Sequence, residues 1–225
     1  KKISIGTDKK ILFLSANPSD SSRLRVNDEI KRVEEELRKG LQRQNFSLIK
    51  KVAIGIDGLQ QAILDEKPEI VHFSGHGSSP NYLSQSLETK PGRFISSKIE
   101  DGYGIVLEGE NGTSEIVSNS AMADLMSLFK RDLKCVILNA CYTDTLAKGI
   151  IDYIPYVIGT KRAIPDKAAI VFSVGFYKAL AAGEDYKVAF KLGKNSIDFH
   201  NFDGDLVVMR VNASLERELN FKKEV

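Results

Sequence analysis

Two side chains capable of covalent chemistry stand at the ends of two apolar runs in this chain. Val71-His72-Phe73-Ser74-Gly75-His76-Gly77 closes on a histidine, and Val136-Ile137-Leu138-Asn139-Ala140-Cys141-Tyr142-Thr143 closes on a cysteine. In open α/β sheets, functional side chains gather where parallel strands end at their carboxyl edge. His76 and Cys141 can therefore meet in space although 65 positions separate them. A thiol attacks as its thiolate and needs a base or a cation beside it, and this pair supplies both parts. Glycines flank the histidine, so the backbone can leave the strand sharply and a substrate can approach closely. The N–H of Gly77 is then available to a developing oxyanion, together with the N–H of Cys141 itself. A helix predicted to start at Thr143 or Asp144 sets the thiol near a helix N-terminus, where the peptide dipoles favour an anion and would lower its pKa.

The remaining histidines and cysteine have simpler readings. His72 lies inside a strand between Val71 and Phe73 and reads as a core histidine. His200 sits in a loop beside Asn201 and Asp203 and receives no role. Cys135, at the start of its strand, reads as a small buried hydrophobe. Six residues from Cys141 on one extended strand, it would lie ~20 Å away, beyond bridging distance. Two thiols without a disulfide framework fit a reducing compartment, so a cytoplasmic location is expected. The chain has no CxxC or HxxxH spacing for zinc, no GxxxxGK[ST], and no GxGxxG after its first strand, where it reads Ala16-Asn17-Pro18-Ser19. Neither a metal nor a nucleotide cofactor is expected.

The elements that would hold this pair follow from the hydrophobic pattern. Ile11 to Asn17 is a continuous apolar run closed by Asn-Pro, as in a strand buried on both faces. Val26, Ile30, Val33, Leu37 and Leu41 recur at helical spacing over 25–41, stopping near Gly40. Strands are predicted at 46–54, 69–74, 134–139, 156–159 and 206–211. Helices are predicted at 58–65 with Asp57 as its cap, at 119–130, from 143 or 144 to 153, at 166–182 and at 184–197. Tyr103–Leu107 and Ser114–Ser118 form a hairpin turned by Asn111-Gly112. Strands alternating with helices give an α/β fold with a mostly parallel six-stranded sheet, helices on both faces and a small β-hairpin insertion. Residues 1–10 read as a linker or frayed end, and 78–102 as a long loop of the kind that is usually functional.

At 225 residues, 42% hydrophobic and 28% charged, the chain suits a single globular domain. A net charge of +2 gives no footprint for nucleic acid, which would enter only indirectly. Acidic and basic residues alternate from Glu29 to Arg38, the pattern of a solvated helix face. No apolar run approaches the ~20 residues that span a bilayer, so no membrane partner is expected. The first residue is Lys1 rather than Met, which fits a domain excised from a longer polypeptide.

His-Phe-Ser-Gly-His-Gly followed by Leu-Asn-Ala-Cys-Tyr-Thr resembles the caspase-like cysteine peptidases, most closely the CHAT domain family. The resemblance runs from about Ile11 to Asp198. It includes Leu-Phe-Leu-Ser-Ala-Asn-Pro at the start, and Val-Ile-Gly-Thr with the later Phe-Tyr-Lys-Ala-Leu-Ala-Ala-Gly. It implies a dyad with His76 as general base and Cys141 as nucleophile, an oxyanion hole from the amides of Gly77 and Cys141, and no cofactor. In such folds the residue two before the cysteine faces the pocket for the first substrate side chain. Here that is Asn139, a neutral amide, so no carboxylate is supplied there for an Arg or Lys substrate. Asp144 could add negative charge there, but its place as a helix N-cap is the favoured reading. The long segment 78–102 could be a lid, a self-cleavage site or part of a substrate groove, while Lys90, Arg93 and Lys98 within it read simply as solvated charges. The resemblance further implies a protein substrate and a sensor or regulatory module, fused or separate, as in bacterial signalling and defence. The resulting expectation is a regulated cysteine endopeptidase. Its alternative is a caspase-like scaffold or protein-interaction module whose dyad is idle.

Overall fold

The computed structural model of the chain describes residues 9–79 and 103–224. The proposed roles of 78–102, and the cations Lys90, Arg93 and Lys98, therefore lie outside the described residues apart from Ser78 and Ser79. The main sheet is built from β1 (Lys9–Ser15), β2 (Phe46–Lys51), β3 (Ile70–Ser74), β7 (Cys135–Asn139), β8 (Tyr156–Thr160) and β9 (Val207–Val211). Their spatial order is β2-β1-β3-β7-β8-β9. The first five run parallel, and β9 closes the edge antiparallel to β8. Lys9 and Lys10, expected in a linker, instead open β1 beside Phe46 and Ser47.

Alternation along each strand divides the core in two. Ile11 and Phe13, Ile70, and Cys135 and Ile137 pack against α1 (Val26–Lys39), α5 (Asp166–Ala182) and α6 (Tyr186–Phe199). Leu12 and Leu14, Val71 and Phe73, and Val136 and Leu138 pack on the other face. There they meet α2 (Ile56–Glu66), α3 (Asn119–Leu128) and α4 (Asp144–Ile150). Covered on both faces, the strands read as unbroken apolar runs. The α2 helix starts earlier than its sequence suggests, because Gly55 in an extended conformation precedes it and Asp57 falls within its first turn. The charged tail is also helical, as α7 (Ala213–Glu224). Tyr156 donates to Glu216 and Lys187 pairs with Glu216, which tethers α7 to the body.

The predicted hairpin is present as β5 (Gly104–Glu108) and β6 (Ser114–Ser118), with Gly112 at φ +67° in its turn. It carries a third strand that the pattern does not reveal. Residues His76–Ser78 form β4, antiparallel to β5, so a three-stranded sheet grows from the exit of β3.

Helices α5 and α6 meet closely at two glycines. A Cβ placed on Gly193 of α6 would lie 2.8 Å from the Phe172 ring and 2.9 Å from its carbonyl oxygen. Gly175 on α5 faces the Gly193 Cα in the same way. Gly193→Ala should therefore push α6 off α5 and cost about 1–3 kcal/mol, seen as a lower melting temperature in thermal unfolding followed by circular dichroism. An unchanged transition would mean that the two helices separate freely.

Candidate active site

The parallel pairing of β3 with β7 sets Ser74 opposite Asn139. The Gly75 N–H donates to the Asn139 carbonyl at 3.3 Å, and the two chains then part. A Cβ on Gly75 would meet the Phe73 ring at 2.7 Å and the Ala16 carbonyl at 3.0 Å, so only glycine allows the turn that feeds β4. Two residues on, a Cβ on Gly77 would fall 1.8 Å from the Cys141 carbonyl oxygen. The backbones of the histidine and cysteine segments are thus in contact, and His76 and Cys141 stand at neighbouring strand exits.

Cys141 lies in a sharp turn. Tyr142, directly after it, holds φ +59°, left-handed space that a bulky residue adopts at a cost. Thr143 pins the turn from beneath. Its hydroxyl bonds to the Leu138 and Ala140 carbonyls at 2.9 and 3.0 Å and accepts the Thr160 N–H at 3.0 Å. The thiol is half-buried. Burial pushes its pKa up, and backbone N–H contacts from Ile164 and Cys141 itself only partly oppose this. The expectation that a helix N-terminus lowers the thiol pKa is therefore corrected: α4 begins three residues later, at Asp144, and desolvation dominates. Cys135 is fully buried and its thiol is driven further in the same direction, by burial and then by Glu69.

His76 is oriented by the β1–α1 loop. Its Nε2 lies 2.7 Å from the Ser22 carbonyl oxygen. A carbonyl can only accept, so Nε2 carries the hydrogen and the lone pair of the neutral ring falls on Nδ1. Burial lowers the imidazole pKa, while the Ser22 carbonyl and the charge of Asp166 pull the other way. The loop is itself well tied. Asn17 exchanges bonds with Leu24 in both directions at 3.1 Å, and its N–H reaches Glu108 at 2.8 Å. Asp20 accepts from the N–H and hydroxyl of Ser114, and Arg25 pairs with Asp166 at 2.7 Å. Among the described residues no hydrogen bond joins the Cys141 thiol to His76.

Asn139 and Asp144 are committed to other partners. The Asn139 side chain is buried, and its Nδ2 donates to Glu29 at 2.7 Å and to the Ala169 carbonyl and Ser173 hydroxyl at 3.2 Å. Asp144 occupies the first turn of α4, after Thr143 at the cap position. Arg210 grips both of its carboxylate oxygens, at 2.8 and 2.9 Å. His72 is buried, stacked on Phe13, with Nδ1 3.0 Å from the Tyr177 hydroxyl. Its other nitrogen lies 3.2 Å from Glu29 Oε1 but is poorly aligned, and makes no hydrogen bond. His200 is exposed at the end of α6, its Nδ1 against the Ser196 carbonyl.

Residues 1–194 match the model of the CHAT domain. The chain belongs to the CHAT domain family. Curated relatives agree at low identity. A protein of Gillisia limnaea named "Probable protease" is 26% identical over 195 residues, covering 86% of this chain and 31% of the relative. A Roc-COR-CHAT protease of Runella zeae is 27% identical over 172 residues, covering 76% of this chain and 16% of the relative. A second Roc-COR-CHAT protease, from an unknown prokaryotic organism, is 22% identical and covers 88% and 17% respectively. The chain thus spans less than a third of the length of these relatives. Among solved structures, a secreted C11 cysteine protease from Bacteroides thetaiotaomicron, bound to an irreversible peptide inhibitor, shares the fold with a TM-score of 0.55. It is 13% identical, over 82% of this chain and 57% of that one.

The most consequential residue of this CHAT domain that the sequence does not flag is Glu29. It falls in the alternating charge pattern of α1 and reads there as solvated, yet it is 2% exposed. Its helical phase gives it away, since Val26, Ile30, Val33 and Leu37 bury the same face. Burial alone would raise its pKa, but the His72 imidazole and the Ser173 and Ser74 hydroxyls outweigh that and hold it below the usual 4.5. The Ser22 carbonyl is equally silent in the sequence, because any residue type could supply it.

The two thiols of the domain should separate cleanly by reactivity. Iodoacetamide labelling, followed by peptide mass spectrometry, should give Cys141 an apparent pKa above the ordinary 9.0 and leave Cys135 protected until the protein unfolds. A Cys141 midpoint near neutral pH would contradict the burial argument.

Proposed function

We infer that this CHAT domain is a cysteine endopeptidase that hydrolyses a peptide bond of a protein partner, with Cys141 as nucleophile and His76 as general base. One observation carries the reading: adjacent parallel strands deliver the two residues to one sheet edge, with the Gly77 backbone against that of Cys141. His76 Nδ1 takes the thiol proton as sulfur attacks the scissile carbonyl carbon. The N–H groups of Gly77 and Cys141 receive the oxyanion. The imidazolium, steadied through Nε2–H by the Ser22 carbonyl, then protonates the leaving amine. Water, activated by the same imidazole, opens the thioester and releases the acid. No cofactor enters.

Asn139 would border the pocket for the first substrate side chain from beneath, its Nδ2 spent on Glu29, Ala169 and Ser173. Asp144 would contribute to that pocket only if a substrate cation displaced Arg210. The names of two relatives and the short span of this chain on them support regulation by further modules. The family resemblance adds a role in bacterial signalling or defence, and the two unpaired cysteines favour the cytoplasm. No helix among the described residues is long and apolar enough to cross a membrane. A second reading, an interaction module with an idle dyad, is favoured by the missing thiol–imidazole hydrogen bond.

An internally quenched peptide library separates the two. The peptidase reading expects turnover that Cys141→Ala and His76→Ala each reduce by about 10⁴-fold or more, while His72→Ala acts mainly through stability. Because the His76 pKa is lowered, the imidazole becomes the neutral base below its ordinary 6.5, and the acid limb of kcat/KM should lie below pH 6.5. Turnover that survives Cys141→Ala would end the nucleophile assignment. A folded wild-type protein that cleaves nothing, with or without its neighbouring modules, would establish the interaction module.

A further inference from the structure

Beneath the strand exits lies a buried carboxylate that the mechanism does not use. Glu29, reaching up from α1, accepts from the Ser74 hydroxyl through Oε2 at 2.6 Å. Its Oε1 accepts from Asn139 Nδ2 at 2.7 Å and from the Ser173 hydroxyl at 2.6 Å. Ser74 and Asn139 are register partners, and each stands two residues before a member of the dyad. One side chain therefore clasps the last residue of β3 with one oxygen and the last residue of β7 with the other.

A buried anion is a poor choice for stability alone, since apolar residues of similar volume usually do as well or better. A carboxylate does offer two acceptor oxygens held at a fixed separation, with charge-assisted bonds that resist stretching. An amide of the same shape must turn its NH₂ toward one of the two donors. We propose that Glu29 is the positioning residue of the site, locking the exits of β3 and β7 so that His76 and Cys141 leave the sheet at a fixed separation. The inference rests on the peptidase reading above for its consequence in catalysis, but its geometric part concerns only the order of the two exits.

The test is Glu29→Gln, with two readouts in the folded protein. Once the clasp is broken the Cys141 turn loosens, so iodoacetamide should label Cys141 severalfold faster while the deeply buried Cys135 stays protected. Misplaced by even an ångström, the dyad should lose about tenfold or more in kcat, with KM little changed. A general loss of stability would expose both thiols together, so Cys135 serves as the internal control. If Glu29→Gln fails to fold, Ser74→Ala removes only the β3 half of the clasp and should give the same signature in weaker form. Unchanged Cys141 labelling in a folded variant, or labelling that rises only in step with Cys135, overturns the proposal. Should the wild type show no turnover dependent on Cys141, the peptidase reading falls by itself, and the labelling comparison still decides whether Glu29 holds the exits.

Discussion

Parallel pairing between β3 and β7 is the constraint from which the site follows. Because side chains alternate along a strand, the register that sets Ile70 beside Cys135 and Ser74 beside Asn139 decides which residues face each helical layer. A slip of one residue would send Ser74 and Asn139 to the opposite face, and Glu29 would keep the Ser173 hydroxyl but lose both of its strand donors. The same register brings the Gly75 N–H to the Asn139 carbonyl. Beyond that bond the strands can only separate, one into β4 and the other into the Tyr142 turn. The apolar layers below are fixed by that register, and the chemistry above it inherits their precision.

The face toward α1 and α5 changes character along its height. Near the amino ends of the strands it is built from Ile11, Ile70, Cys135 and Tyr156; at the carboxyl ends it becomes Ser15, Ser74, Asn139 and Thr160, all buried. Polar groups in such a place must be satisfied: for Ser74 and Asn139, α1 and α5 supply the means through Glu29 and Ser173, and Thr160 bonds to Ala140 and Thr143. Ser173 closes the circuit, since it accepts from Asn139 while donating to Glu29. Tyr177, one turn further along α5, reaches His72. Helix α5 thus serves two layers at once. Its apolar residues fill the core, and its polar ones complete the network under the site.

Much of this was legible in the sequence, for identifiable reasons. Buried strands announce themselves as apolar runs, and β1, β3, β7 and β8 are found within one or two residues of their predicted places. The dyad candidates were visible because each stands where a run stops. Other features were hidden by the same logic. His76–Ser78 is too short to show a period, and becomes a strand only because β5 offers it an edge. The tail, helical as α7, lacks a clear apolar stripe, and is held by Leu219 against the core and by polar contacts through Glu216. Glu29 was masked by composition: its neighbours in sequence are charged and exposed, and only the phase of α1 separates it from them. A backbone carbonyl such as that of Ser22 leaves no mark on residue type at all.

The electrostatics of Cys141 and His76 favour a pair that is not ionised at rest. Burial raises the thiol and lowers the imidazole, so both shifts favour the neutral pair over thiolate and imidazolium. For the proposed reaction this means that the proton moves as the sulfur attacks, rather than beforehand. Transfer would create opposite charges side by side in a half-buried place, and their attraction grows as water is excluded. A substrate that covers Cys141 and His76 would therefore strengthen the very interaction that makes the nucleophile. The fixed partners then matter most for that proposal. The Ser22 carbonyl faces the nitrogen that would become cationic, and Gly77 lies against the Cys141 backbone, so what the proposed reaction still has to bring together is the thiol and the imidazole themselves.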